Sequence, residues 1–327
     1  MIIKGIDSQL LKDRRKEQGR TQKDIAKAVG VSESSYKFYE TGRQIPEYDI
    51  IKAIAETLEI SVHSVIIRST KVITFGQNKG GCGKTSICAG VIQVLANKGY
   101  KVLAIDGDPQ KHLNKSFSLD VNDRRNLYRV MLYENETMED NTVLTDDPNI
   151  DFVQAHHDAS MIDLQLMNEY HRETIFKRKL QPIIDKGVYD FVLIDSNPVL
   201  SMMNYNLYSA SDKIIIPVEP TPFGVEGLDP FMKYFNQVKK TNPQVEILGI
   251  VFTMVDSRES ISDVMMSYVK KVFEDVRIFT TIIPSDTKVK QAQANDTNVV
   301  KYAENSRASK ALHNFTEEVL RCLETNS

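Results

Sequence analysis

Residues Asn78-Lys79-Gly80-Gly81-Cys82-Gly83-Lys84-Thr85-Ser86 set glycines, lysines and hydroxyls between an apolar run, Val72-Ile73-Thr74-Phe75, and a helix-like run from Ile87 to Ala96. That is the setting a phosphate-binding loop needs. Glycines let backbone N–H groups turn inward onto phosphate oxygens. The helix that follows offers the positive end of its dipole to the same anion. Lys84 supplies a point charge for the outer phosphates, and the Thr85 hydroxyl can sit on Mg2+. The plain phosphate-loop pattern asks for glycine where Asn78 stands, so what remains is Lys-Gly-Gly-x-Gly-Lys-Thr with a second lysine inside the loop. A second apolar run, Tyr189-Asp190-Phe191-Val192-Leu193-Ile194-Asp195, delivers one carboxylate to the end of a strand, the place where Mg2+ is held in phosphoryl-transfer sites.

The two-lysine loop resembles the deviant Walker A motif of the ParA/MinD family of ATPases. The likeness continues through Val102-Leu103-Ala104-Ile105-Asp106-Gly107-Asp108-Pro109-Gln110, through the Walker B strand ending at Asp195, and through Ala210 to Pro220 with Phe223 and Gly227-Leu228. It extends to Ile247–Asp256, Ile282-Ile283-Pro284, Lys290-Gln291-Ala292 and Tyr302–Ala308, and so covers about residues 71 to 324. The resemblance implies that ATP is bound by Lys79, Gly80, Gly81, Cys82, Gly83, Lys84, Thr85 and Ser86, with Mg2+ on Thr85 and Asp195. It implies catalytic roles for Lys79, Lys84, Asp108 and Asp195. Asp108 would lie near the γ-phosphate and activate water, and Asp106 closer to the metal. Lys79 would reach across a homodimer interface to the partner subunit's nucleotide. Two departures stand out: Ser196-Asn197-Pro198 where the family carries Cys/Thr-Pro-Pro, and Ser285 where it often carries arginine.

The chain of 327 residues is long enough for two domains. Its net charge of −3 gives no global field for a polyanion. Residues 134–151 hold seven acids and no base, which reads as a solvated loop. Three cysteines, Cys82, Cys88 and Cys322, without a Cys-x-x-Cys pair suit a reducing compartment and argue against the iron–sulfur branch of the superfamily. No run approaches the roughly 20 apolar residues of a membrane span, and the start is too short in apolar length for a signal peptide, so a cytoplasmic protein is expected. His156-His157 on a strand would point to opposite faces and make a poor chelate.

Residues 1–67 have a different texture. Leu10-Leu11, Ile25-Ala26-Val29, Tyr36-Tyr39 and Ile50-Ile51-Ile54-Ala55-Leu58 recur at helical spacing. Thr21 is a good N-cap with Asp24 behind it, Gly30 ends that helix, and Ser32 caps the next. This segment resembles the Cro/repressor-type helix-turn-helix family, through Leu11-Lys12-x-Arg14-Arg15, Gly19–Ala26, Val29-Gly30-Val31-Ser32, Tyr39-Glu40-x-Gly42-Arg43-x-x-Pro46 and Leu58-Glu59-Ile60-Ser61. The resemblance implies that a helix from Ser32 to Glu40 enters the major groove. Gln22, Ser32, Ser34, Ser35, Lys37 and Arg43 are then the candidate DNA contacts, while Ile25, Tyr36 and Tyr39 are packing residues.

Residues 68–71 read as a short linker and 72–327 as the ATPase domain. Strands are expected at 71–76, 101–106, 150–155, 190–195, 213–218, 247–254 and 278–283. Helices are expected at 86–98, 160–185, 200–210, 225–241, 260–274 and 306–324. The alternation predicts a doubly wound, mostly parallel α/β sheet of the P-loop NTPase class, preceded by a small all-α helix-turn-helix domain. The last helix is amphipathic but acidic, so it is expected to pack on its own domain and not on a membrane.

The function expected is a DNA-segregation ATPase that dimerises on ATP. The two resemblances imply that it would bind specific DNA through the first domain and any DNA through basic residues near its carboxyl-terminal region, for which Lys288, Lys290, Arg307 and Lys310 are the candidates. A ParB-like centromere-binding protein would stimulate its hydrolysis. The alternative is a nucleotide-controlled transcriptional regulator.

Overall fold

The computed structural model describes residues 3–119, 124–156, 161–256 and 258–325. By its contacts the chain divides into two compact units, residues 1–70 with 182–190, and residues 71–181 with 191–327.

The first unit holds β1 (Ile3–Ile6), α1 (Ser8–Glu17), α2 (Gln22–Val29), α3 (Glu33–Glu40), α4 (Tyr48–Thr57), α5 (Val62–Val65) and β2 (Ile66–Arg68). Local chemistry sets the helix ends. Thr21 and Asp24 form a reciprocal capping box on α2. Gly30 ends that helix at φ 76°, and the Ser32 hydroxyl accepts the Ser35 N–H at 3.0 Å to start α3. Leu11, Ile25, Tyr36, Ile51, Ile54 and Leu58 are buried in one apolar core. A ribbon that the helical pattern does not announce is added to it: β1 and β2 pair antiparallel, with Ile6 opposite Ile66. The segment read as a linker, 68–71, begins on the last residue of β2, and Ser69 and Thr70 lie in no strand or helix. Arg68 ends β2 and Lys71 begins the next strand.

The second unit is built on β3 (Lys71–Phe75), β4 (Val102–Gly107), β5 (Thr142–Leu144), β6 (Ile150–Val153), β7 (Phe191–Ser196), β8 (Lys213–Val218) and β9 (Glu246–Phe252). They form one sheet in the order β5-β6-β4-β7-β3-β8-β9, parallel except for the β5 edge. The central strands β4 and β7 are buried at every residue, which is why they read as unbroken apolar runs. The helices are α6 (Lys84–Asn97), α7 (His112–Ser116), α8 (Leu127–Leu132), α9 (Ile162–Leu166), α10 (Ile175–Lys186), α11 (Met202–Ser209), α12 (Pro222–Glu226), α13 (Leu228–Thr241), α14 (Ser260–Val272), α15 (Thr287–Ala294), α16 (Val299–Tyr302) and α17 (Arg307–Thr325). One apolar cluster gathers α6, α16 and α17 on the sheet, and a second gathers α13 and α14.

Several expectations need correction. The acid-rich stretch 134–151 is not simply a solvated loop. It contains β5 and the start of β6, and the carbonyls of Glu134 and Glu136 accept hydrogen bonds from Lys179 at 2.8 Å. Residues 278–283 do not form a ladder strand. They touch β9 through isolated bonds, Phe279 N–H to Ile250 O and Ile283 N–H to Phe252 O, both 2.9 Å. The helix expected over 160–185, whose first residue lies outside the described residues, is broken: His171 sits at φ 52°, between α9 and α10. The last helix behaves as expected, with Leu312, Phe315 and Val319 of α17 buried in the core. No helix among the described residues is long and apolar enough to cross a membrane.

Candidate functional site

The register of the central strands fixes the site. Phe75 on β3, Asp195 on β7 and Asp106 on β4 lie side by side in one row across the sheet. The glycine-rich loop leaves β3 just beyond that row and runs into α6. Gly81 and Gly83 both take φ 82°, a left-handed conformation that side chains resist. Cβ atoms there would meet nothing closer than 3.8 Å, so the glycines serve backbone conformation and not packing. Lys84 is buried, and its Nζ donates to the Lys79 carbonyl at 2.9 Å. The loop is pinned from β9's end by Thr253, whose hydroxyl donates to the Cys82 carbonyl at 2.9 Å. Burial pushes the Cys82 thiol up, so it is not a reactive thiolate.

A cavity of about 710 Å³ opens over this loop. Gly80, Gly81, Gly83, Lys84, Thr85, Ser86 and Asp108 line it, so most of the loop residues singled out from sequence meet Asp108 in one place. Asp195 lies fully buried beside it. Lys79 is not part of the lining; its Nζ sits 5.6 Å from the centre of the Phe223 ring. Sequence reading missed the opposite wall, where Met254, Gln293, Ala294 and Asp296 approach the cavity. Gln293 also donates to the Ser86 hydroxyl at 3.0 Å. Met254 lies in the run Ile247–Asp256, where the resemblance implies no site role for it, and Gln293, Ala294 and Asp296 lie outside the family motifs.

The acids differ in their surroundings. Asp106 accepts the backbone N–H groups of Asp108 and Asn114, both at 3.0 Å. Burial, and then the nearby Asp195 charge, hold its pKa well above the usual carboxylate range. Asp108 accepts the Gln110 N–H at 2.9 Å, which shapes the turn after β4. Asp195 is pushed up to about 7 by burial, with the Thr85 hydroxyl and the Lys84 charge pulling the other way. Among the described residues neither of its buried carboxylate oxygens meets hydrogen-bond geometry, although the Thr85 hydroxyl lies close enough to influence it. Such an acid is costly unless a cation meets it. The donor set of Asp195 and Thr85 therefore fits a hard divalent ion with oxygen ligands. The departure at 196–198 is absorbed locally: the Ser196 hydroxyl bonds the Phe75 carbonyl at 2.8 Å, and the Asn197 side chain accepts from Val199 N–H at 2.9 Å.

The candidate DNA residues divide in two. On α3 and just after it, Ser34, Lys37 and Arg43 are exposed. Ser32 is spent on capping α3, with Ser34 and Ser35 hydroxyls within 2.9 Å of its own. Gln22 is tied inward, its Nε2 donating to Glu40 at 2.6 Å. Lys288, Lys290, Arg307 and Lys310 are all exposed in the second unit. Asp286 joins their two helices by accepting Lys288 N–H at 3.0 Å and Ala308 N–H at 3.1 Å. His156 packs near Tyr128, while His157 lies outside the described residues.

Comparison with known proteins agrees with this arrangement. Residues 70–247 match the family described as an AAA domain, and residues 11–64 match a helix-turn-helix family. The chromosome partitioning protein ParA of Caulobacter vibrioides is 31% identical over 252 residues, covering 76% of this chain and 94% of that protein. The sporulation initiation inhibitor protein Soj of Bacillus subtilis is 28% identical over 250 residues, covering 76% of this chain and 98% of Soj. Among solved structures, a cobyrinic acid a,c-diamide synthase from Mycobacterium smegmatis with bound ADP and magnesium superposes with a TM-score of 0.68 at 25% identity, over 79% of this chain and 97% of that one. The row of strand-end acids, the glycine loop beside it and these matches lead to one conclusion: the chain belongs to the family of ParA-type ATPases and carries an N-terminal helix-turn-helix domain.

Proposed function

We propose that this protein is a DNA-partitioning ATPase whose ATP-bound form is a homodimer. The observation that carries the reading is Asp195, an acid whose two buried oxygens meet no hydrogen-bond geometry among the described residues, beside a glycine loop and a cavity of about 710 Å³. ATP is bound by the backbone of residues 79–86 with Lys84 on the outer phosphates, and Thr85 and Asp195 hold Mg2+. The ion, when bound, neutralises charge that builds on the transferring phosphoryl group. Asp108 orients or activates the attacking water. No arginine stands among the active-site motifs, so turnover by the protein alone is slow, and a ParB-like partner stimulates it. Lys79 crosses to the second subunit's nucleotide.

Two DNA surfaces follow from the same reading. The α3 helix, with Lys37 and Ser34, and the nearby Arg43 read a specific site, and dimerisation sets the spacing of half-sites. Lys288, Lys290, Arg307 and Lys310 hold DNA without sequence preference, and place the protein on the cytoplasmic nucleoid. Light scattering with magnesium and a slowly cleaved ATP analogue tests the core of this: a dimer is expected, and a persistent monomer overturns it.

A second reading is a nucleotide-controlled transcriptional regulator, favoured by the exposed face of α3. Asp108→Ala separates the two. A regulator keeps repression in that variant, whereas a partition ATPase loses plasmid inheritance.

A further inference from the structure

Lys79 and Lys84 belong to one loop but occupy different places. Lys84 lines the nucleotide cavity, and Lys79 does not. The Lys79 ammonium lies instead over the Phe223 ring, 5.6 Å from its centroid. Phe223 is 69% exposed, so its ring face is open at the surface beside Lys79.

The backbone around the ring is fixed closely. Phe223 lies in the first turn of α12, where Pro222 opens the helix and the Thr221 hydroxyl accepts the Gly224 N–H at 3.1 Å. The segment after it presses directly on the phosphate loop. A Cβ at Gly227 would stand 2.8 Å from Asn78 Oδ1 and 3.5 Å from Lys79 Cβ. The segment that carries the ring therefore runs close beside the side chains of Gln77, Asn78 and Lys79.

We propose that Phe223 is a positioning residue for Lys79: its ring face holds the ammonium clear of its own nucleotide cavity and at the surface, ready for a second copy of this chain. This rests on the reading of Lys79 as the residue that crosses the dimer. It adds that the free subunit already stores the lysine in an outward pose. A cation over an aromatic face is attracted by the ring quadrupole, and an aliphatic side chain of similar bulk has no such field. Phe223→Leu therefore removes the hold while keeping an apolar group, and Phe223→Tyr keeps it.

The test uses the full chain with magnesium and a slowly cleaved ATP analogue. Sedimentation velocity reads dimerisation, and NMR of the nucleotide-free protein reads the Lys79 ε-methylene protons, which a ring face shifts upfield. Phe223→Leu is expected to weaken dimerisation roughly two- to five-fold and abolish the upfield shift. Phe223→Tyr restores both. Leucine and wild-type proteins that dimerise alike, while Lys79→Ala does not dimerise, overturn the role of Phe223. If Lys79→Ala dimerises normally, the crossing-lysine reading fails instead, and the proposal falls with it. An unshifted lysine signal in the wild type also overturns it.

Discussion

Asp106 and Asp195 stand directly opposite each other on the adjacent parallel strands β4 and β7, and both are completely buried. Two carboxylates side by side in the interior cannot both ionise cheaply. Their environments divide the work. Asp106 has two backbone N–H groups, and Asp195 has none, so Asp195 is the one left open to an outside cation.

Stability of the nucleotide-free protein should therefore fall as pH rises. Asp195 has an ordinary unfolded value near ~4, and burial pushes it up to about 7 in the fold. Between those values the native state binds more protons than the unfolded state, so raising pH weakens the fold. Asp106 is shifted the same way. Asp195→Asn should flatten the pH profile and raise stability above pH ~7 by on the order of 1–4 kcal/mol, while ATP turnover is lost. Thermal melts across pH without magnesium check this; equal slopes in wild type and variant rule it out.

In the first unit, Glu40 joins three helices. Burial works to raise its pKa, but hydrogen bonds from Arg15 and Gln22 outweigh it, and the net shift is downward. Arg15 also donates to the Arg20 carbonyl at 2.8 Å, which locks the turn between α1 and α2. Glu40→Ala should cost about 3 kcal/mol, because it leaves the half-buried Arg15 without its carboxylate. Gln22→Ala should cost about 1 kcal/mol. Denaturant unfolding followed by tyrosine fluorescence reads both. If Gln22→Ala is neutral for stability yet erases operator binding, its side chain is a DNA contact after all.

The parts of the molecule that could be read from sequence are those set by short-range rules. The glycine loop, the caps at Thr21 and Ser32, and the fully buried strands each follow from local chemistry. Position in the sheet was harder. Thr142-Val143-Leu144 was hidden in an acidic stretch because an edge strand buries only Val143. The helix expected over 160–185 is interrupted where the chain turns at His171, and Leu164 and Met167 on its first part are exposed. The wall of Met254, Gln293 and Asp296 is assembled from segments with no shared pattern. The Gln22–Glu40 bond is hidden for a related reason: nothing local pairs the two, and the bond spans 18 residues.

Nonspecific DNA binding should report on the basic residues at α15 and α17. Lys288 and Lys290 are exposed and, among the described residues, neither is held by a carboxylate; Lys288 Nζ donates to Gln291 at 2.9 Å. Replacing both with Gln should reduce the slope of log affinity against log salt by about 2, since each phosphate contact contributes close to one. Arg307 already donates to the Ser285 carbonyl at 3.0 Å, so Arg307→Gln should change the slope less. Fluorescence anisotropy with a random duplex over a salt series measures both. An unchanged slope in the double variant removes this surface from the DNA interface.

The last prediction concerns the hold on the phosphate loop from outside it. Thr253 is buried at the end of β9, and its hydroxyl donates to the Cys82 carbonyl at 2.9 Å across 171 residues of chain. Thr253→Val preserves shape and removes the donor, leaving a buried carbonyl unpaired. Stability should drop by roughly 1–3 kcal/mol. Because the loop must present several N–H groups in one fixed pose, nucleotide affinity should fall as well, by about ten-fold for 1.4 kcal/mol of lost preorganisation. Thr253→Ser keeps the hydroxyl and should restore affinity even if it packs less well. Titration with a fluorescent ATP analogue distinguishes the two variants. Equal affinities for the valine and wild-type proteins would show that the loop holds its shape without this bond.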